Sequence, residues 1–175
     1  MPRLSPIMQK FILHWGEMGT RWGVNRTVAQ IHALLYLSPQ PLHAEEIADT
    51  LSVARSNVST SLRELQSWGI VRVVHVMGDR RDHFESMKDV WEMFQVIMEQ
   101  RKRREMDPTL EVLRSCVAEL ERGGPTDLHA RQRLLDMLDF FETMSQCYEE
   151  VRRVPAGALR AFLKVRGKIR KLLAG

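Results

Sequence analysis

The chain has 175 residues, 44% of them hydrophobic and 27% charged, with a formal net charge of +4. That length and apolar content suffice for one buried core with an appended helical region, and they exclude a disordered chain. No apolar run approaches the roughly 18–20 residues that crossing a bilayer needs. The first residues lead into an amphipathic stretch and not into a secretory signal, so a cytoplasmic chain with no membrane partner is expected.

Over 6–22 the apolar residues Met8, Phe11, Ile12, Trp15, Met18 and Trp22 recur at three- and four-residue steps, which predicts an amphipathic helix. Gly23 and Asn25 interrupt it, and Val28, Ile31, Leu34, Leu35 and Leu37 resume the period until Ser38-Pro39-Gln40-Pro41 ends it. A short helix over 43–51 turns Ile47, Ala48 and Leu51 inward and Glu45, Glu46 and Asp49 outward, with the acids near its N-terminus suiting the helix dipole. After a turn at Ser52-Val53, a helix over about 54–68 places Val58, Leu62 and Leu65 on one stripe. Ser56, Ser59, Thr60 and Arg63 fall roughly opposite, at 100° per residue. Gly69 suits the end of that helix. The β-prone run 70–76 then starts a strand that turns through 77–82 and returns over 83–87, giving a hairpin with a cationic tip.

Helical spacing of Val90, Trp91, Phe94, Ile97 and Met98 extends to Glu105, and Asp107-Pro108-Thr109 predicts a break or kink before the helix resumes at Leu110. Gly123-Gly124-Pro125-Thr126-Asp127 is the clearest loop. Asp127 can cap a long helix to about Arg152 that carries Leu128, Leu134, Leu135, Leu138, Phe141 and Met144. Pro155 fits the first turn of a last helix, apolar at Leu159, Phe162, Leu163, Ile169, Leu172 and Leu173 and basic along Arg160, Lys164, Lys168 and Lys171. Packing within a dimer bundle is expected of that helix over 155–173, and a solvated or ion-paired face is expected of the run Arg101-Lys102-Arg103-Arg104. The expected fold is mainly α with a small β-hairpin. Its parts are N-terminal helices over 1–37, a winged helix-turn-helix over 38–87 and a helical region over 88–175.

Chemistry at a metal or an enzyme centre finds no motif. Cys116 and Cys147 lack Cys or His partners at ligand spacing and read as ordinary helix cysteines, and the six histidines show no i, i+4 pair. There is no nucleophile elbow, no glycine-rich phosphate loop and no acid–base pair at diagnostic spacing, so neither catalysis nor a cofactor is expected. Charge is distributed unevenly, with residues 38–87 holding five basic and seven acidic residues, net −2. The segment 52–63 nonetheless carries Arg55 and Arg63 and no acid.

A short helix, a tight turn, a second helix with an inward apolar stripe and an immediate hairpin make the winged helix-turn-helix order. Major-groove readout calls for short hydroxyl and amide side chains on the outer face of the second helix, and Arg55, Ser56, Asn57, Ser59, Thr60 and Arg63 supply that chemistry. Three serines with Asn and Thr in the six positions 56–61 are poor helix formers that a plain solvated face would replace with Glu, Lys and Gln. In the hairpin, Arg80 or Arg81 can reach phosphates or the minor groove, while Asp79 can fix the turn or hold the other arginine.

The run Leu42-His43-Ala44-Glu45-Glu46-Ile47-Ala48, then Ser56-Asn57-Val58-Ser59 with Leu62-Arg63-Glu64-Leu65, and Gly69-Ile70-Val71 before Gly78-Asp79-Arg80-Arg81, resembles the MarR superfamily. Trp15-Gly16-Glu17-Met18-Gly19, and Asp89-Val90-Trp91-Glu92-Met93-Phe94 leading to Arg101-Lys102-Arg103-Arg104-Glu105, are similar to its GbsR-type branch, so the resemblance covers roughly residues 8–110. The extension after Pro155 departs from that pattern. The resemblance implies a homodimeric repressor or activator on double-stranded DNA, with helices from both chain ends making the dimer and a small-molecule effector altering DNA affinity. Trp15, Trp22 and Trp91 are candidate walls for that effector, although aromatic residues also serve as core filling. A second reading is a protein-interaction module whose acidic helix over 43–51 meets a basic partner without direct DNA binding.

Overall fold

The computed structural model describes residues 4–122, 128–155 and 157–158. The loop over 123–127 with its Asp127 cap, and the basic and apolar stripes expected of a last helix beyond Ala158, lie outside the described residues. Two compact units divide the chain, one ending at Val96 and the other beginning at Ile97.

The first unit begins with α1 (Pro6–Arg21), started by the Ser5 hydroxyl, which accepts from the Met8 N–H, and by Pro6 at the first helical position. Ile12, Gly16 and Gly19 are its buried residues. A Cβ at Gly19 would lie 2.5 Å from the Ala29 Cβ, so glycine lets α1 approach α2 (Arg26–Leu37). Gly23, at φ +75°, makes the turn between them, and Asn25 caps α2 by accepting from the Thr27 N–H at 2.8 Å. Seven of the twelve residues of α2 are buried, which makes it the central core helix, packed on both α1 and α4. At its C-terminus the Lys88 ammonium donates to the carbonyls of Leu35, Tyr36 and Ser38 at 3.0, 3.2 and 3.0 Å, a cation where the helix dipole is negative.

β1 (Leu42–His43) leads directly into α3 (Ala44–Leu51). His43 and Glu46 cap that helix reciprocally: His43 Nδ1 accepts from the Glu46 N–H, and the Glu46 carboxylate accepts from the His43 N–H. Ser52, at φ +54°, makes the left-handed turn that ends α3, and α4 (Arg55–Ser67) follows. Gly69, at φ +79°, closes α4 as expected, and β2 (Val71–His75) and β3 (Asp82–Ser86) form the hairpin. The sheet is larger than the two strands predicted. β1 pairs antiparallel with β3, giving the order β1-β3-β2, with His43 opposite His83 and Leu42 opposite Phe84. A two-residue strand has no alternation to betray it, and the stretch read as the connector Ser38-Pro39-Gln40-Pro41 followed by a helix from His43.

α5 (Val90–Arg101) starts at Asp89, whose carboxylate accepts from the N–H groups of Trp91 and Glu92. The break predicted at Pro108 falls one turn earlier. Lys102–Met106 winds as a π-helical turn, and α6 (Asp107–Glu121) begins with Pro108 in its first turn. Proline lacks an N–H and crowds the carbonyl four residues back, so the wider turn takes up the strain while the chain stays helical.

In the second unit α6 packs on α7 (Leu128–Arg153). The basic run beside the π turn is ion-paired: Arg101 with Glu105, Arg103 with Glu99 and Lys102 with Asp107, at 3.2, 2.8 and 2.9 Å. Tyr148 of α7 donates its hydroxyl to Glu99 at 3.0 Å, and burial first, then that carboxylate, push the phenol up to about 12. Both cysteines lie on helices, Cys116 half-buried on α6 and Cys147 exposed on α7.

Candidate nucleic-acid interface

Burial of Val58, Ser61, Leu62 and Leu65 sets the rotation of α4 about its own axis. The opposite face carries Arg55, Ser56, Asn57, Ser59, Thr60 and Arg63, and all six are exposed. That separation follows from the 3.6-residue period, and it leaves a row of short hydroxyl and amide groups with little bulk in front of them. Arg63 folds back along its own helix, with Nε 3.4 Å from the Ser59 carbonyl and Nη2 3.4 Å from the Thr60 hydroxyl. A cleft of about 190 Å³ runs beside Asn57 and Thr60, with Asn25 and Thr27 at the start of α2 on its other wall.

Gly78, at φ +86°, lets the hairpin turn tightly. Asp79 then fills both roles foreseen for it. Its carboxylate accepts from the backbone N–H of Arg81 at 3.0 Å, fixing the turn, and from the Arg81 Nε at 2.9 Å, holding the guanidinium. Those bonds hold the Asp79 carboxyl well below the usual carboxylate range and raise Arg81 above its ordinary value. The tip is therefore less cationic than its sequence suggested. Arg81 is committed to Asp79 and, at 3.5 Å, to Glu45 of α3. Arg80 is exposed and has no ion-pair partner among the described residues.

Four residues that sequence reasoning did not single out shape this surface. Glu45 also takes Arg55 at 2.8 Å. His43 and His83 are buried and meet edge to face at 5.5 Å, fixing β3 against the start of α3, and His83 Nε2 lies 3.6 Å from Asp79. Lys88 ties the chain leaving the hairpin to the end of α2. The pairings of Glu45 with Arg55, of His43 with His83 and of Lys88 with the end of α2 join positions ten or more apart, so no local spacing signals them.

The candidate effector residues are placed differently from one another. Trp15 stacks on Phe11 at 5.5 Å and lies 6.3 Å from the buried His32 ring, Trp22 at the end of α1 is 47% exposed, and Trp91 is half-buried in the first turn of α5. A second cleft, of about 360 Å³, opens at the base of the hairpin beside Arg72, Glu85, Lys88 and Glu92. Neither cleft is lined by Trp15, Trp22 or Trp91.

With this geometry established, residues 22–82 match the model of the MarR family, a span running from the end of α1 to the start of β3. That stretch, which holds most of the winged helix, is similar to the MarR family. The chain is similar to the HTH-type transcriptional repressor GbsR of Bacillus subtilis (strain 168), at 21% identity over 154 residues that cover 84% of this chain and 85% of that protein. A crystal structure of a transcriptional regulator matches with a TM-score of 0.64 at 22% identity, covering 84% of this chain and 96% of that one. That likeness takes in the flanking helices as well as the winged helix and shows a shared fold.

Proposed function

We propose that the chain is a sequence-specific DNA-binding transcriptional regulator, a ligand-responsive repressor that acts as a homodimer on a pseudo-palindromic operator. The observation that carries this reading is the outer face of α4, where Ser56, Asn57, Ser59 and Thr60 stand exposed beside a hairpin presenting an exposed Arg80 with no ion-pair partner among the described residues. The short side chains suit hydrogen bonding to base edges, and Arg80 suits a phosphate or the minor groove. The similarity to a transcriptional repressor supports the same reading.

The alternative of a protein-interaction module drew on the net −2 of residues 38–87. Three of the seven acids, Glu45, Asp79 and Glu85, are paired with Arg55, Arg81 and Arg72, which leaves less acidic surface for a basic partner. Titrating the protein into a fluorescent mixed-sequence duplex separates the two readings. Binding that is firm at about 50 mM salt and falls by orders of magnitude by about 200 mM is expected of the regulator. An interaction module would give no binding even at the lower salt.

The homodimer draws on α7. Met137, Phe140, Met144, Cys147 and Val151 recur at alternating three- and four-residue steps, and all five are exposed. Such a seam suits packing against a second helix, and two-fold pairing of copies would bury it. Light scattering should give twice the 20.3 kDa chain mass at micromolar concentration, and Phe140→Asp with Met144→Glu should give a folded monomer. A wild-type monomer under those conditions would contradict the dimer. An effector, met by Trp15, Trp22 or Trp91, would act by binding two spacings of the paired reading helices with different affinity.

A further inference from the structure

One carboxylate joins the two parts of the proposed reading surface. Glu45, in the first turn of α3, puts Oε1 2.8 Å from Arg55 Nη2 at the start of α4 and Oε2 3.5 Å from Arg81 Nη1 in the hairpin. Its neighbour Glu46 is occupied by the capping box at His43, so the two adjacent acids have different work. Among the described residues Glu45 has only these tertiary partners, and the Glu45, Arg55 and Arg81 side chains are 43%, 70% and 52% exposed. Ion pairs this open to water add little to folding. An acid among the arginines of a DNA-facing surface also repels phosphate, so its presence calls for another account.

Arginine side chains are long and flexible, and on random DNA they gain by reaching whichever phosphate is nearest, since that attraction is nearly all of non-specific binding. A guanidinium held by a carboxylate is withheld from such contacts and is aimed in one direction. Glu45 does this for one arginine of the helix and one of the hairpin at once, with Asp79 holding the hairpin arginine from its other side. We infer that Glu45 is a specificity-determining residue, which keeps Arg55 and Arg81 as a fixed pair and denies them to the phosphates of non-cognate DNA. The inference rests on the reading of α4 and the hairpin as the DNA surface. On the cognate site the pair is already aimed, so the carboxylate subtracts less there.

The test is Glu45→Gln in the full chain, checked for folding by circular dichroism, on two duplexes: one of mixed sequence and one selected from a random pool by the wild-type protein. At about 0.1 M salt the variant is expected to bind the mixed-sequence duplex on the order of 3- to 10-fold more tightly, with a salt slope steeper by about one per subunit, because Arg55 is released while Asp79 still holds Arg81. The selected duplex should gain less, so that the ratio between the two falls. Adding Arg55→Ala to Glu45→Gln should abolish the extra slope. Unchanged mixed-sequence affinity and slope, or equal weakening on both duplexes, would overturn the role of Glu45. If wild type still prefers the selected duplex and Arg80→Ala still weakens both, the DNA reading survives that result. A wild-type chain that binds neither duplex overturns the reading and the inference together.

Discussion

Leu62→Ala should lower folding stability by about 2–5 kcal/mol, while Ser59→Ala, three residues away on the same helix, should change it by less than about 0.5 kcal/mol. Leu62 is 2% exposed and sits on the stripe with Val58 and Leu65, at 0% and 1%, where α4 packs on α2 and α3. Truncating it removes buried methyl groups and leaves a void that the helices close only in part. Ser59 is exposed and gives up nothing to the core. Urea denaturation of both variants checks the pair. Near-equal stability would mean that α4 does not pack by this face, and the outward placement of the reading residues would fail with it.

His32 provides the second large effect. It is 4% exposed and flanked by the Trp15 and Tyr36 rings, and its Nε2 has no hydrogen-bond partner among the described residues. Burial first, then the Lys88 ammonium, hold the imidazole down at about 4, against an ordinary value of 6.5. Between those two values the unfolded chain takes up a proton that the folded chain refuses. Stability is therefore complete above about pH 6.5 and drains away as the pH falls toward 4, by on the order of 3 kcal/mol for this one group. In His32→Leu that part of the pH dependence should vanish. At pH 7 the variant should be no less stable by more than about 1 kcal/mol, because a buried nitrogen without a partner is removed. Urea denaturation at pH 7 and 4.5 measures the difference. Parallel losses in wild type and variant would place the titration elsewhere.

Much of this surface was legible from residue spacing. Val58, Leu62 and Leu65 at helical steps fixed the inner face of α4, and with it the outward direction of Ser56, Asn57, Ser59, Thr60 and Arg63. Gly69 and Gly78 announced the cap and the turn because both positions need positive φ. What stayed hidden was tertiary. Glu45 reaches Arg55 ten positions on and Arg81 thirty-six positions on, distances at which no periodicity operates. The hairpin tip looked doubly cationic because sequence counts charges without pairing them, and Asp79 proved to hold Arg81 and leave Arg80 free. β1 is too short to show a strand pattern, and the π turn at Lys102–Met106 reflects how a continuous helix accommodates Pro108.

A salt titration of wild type, Ser59→Ala and Arg80→Ala on a selected duplex and on mixed-sequence DNA tests the central claim most directly. Ser59→Ala should weaken the selected duplex by about 1–3 kcal/mol and leave mixed-sequence binding nearly unchanged, because a base contact is lost. Arg80→Ala should weaken both duplexes and lower the salt slope by about one per subunit, because a phosphate contact is lost. If both variants, folded by circular dichroism, hold both duplexes as tightly as wild type across the titration, α4 and the hairpin are not the reading surface.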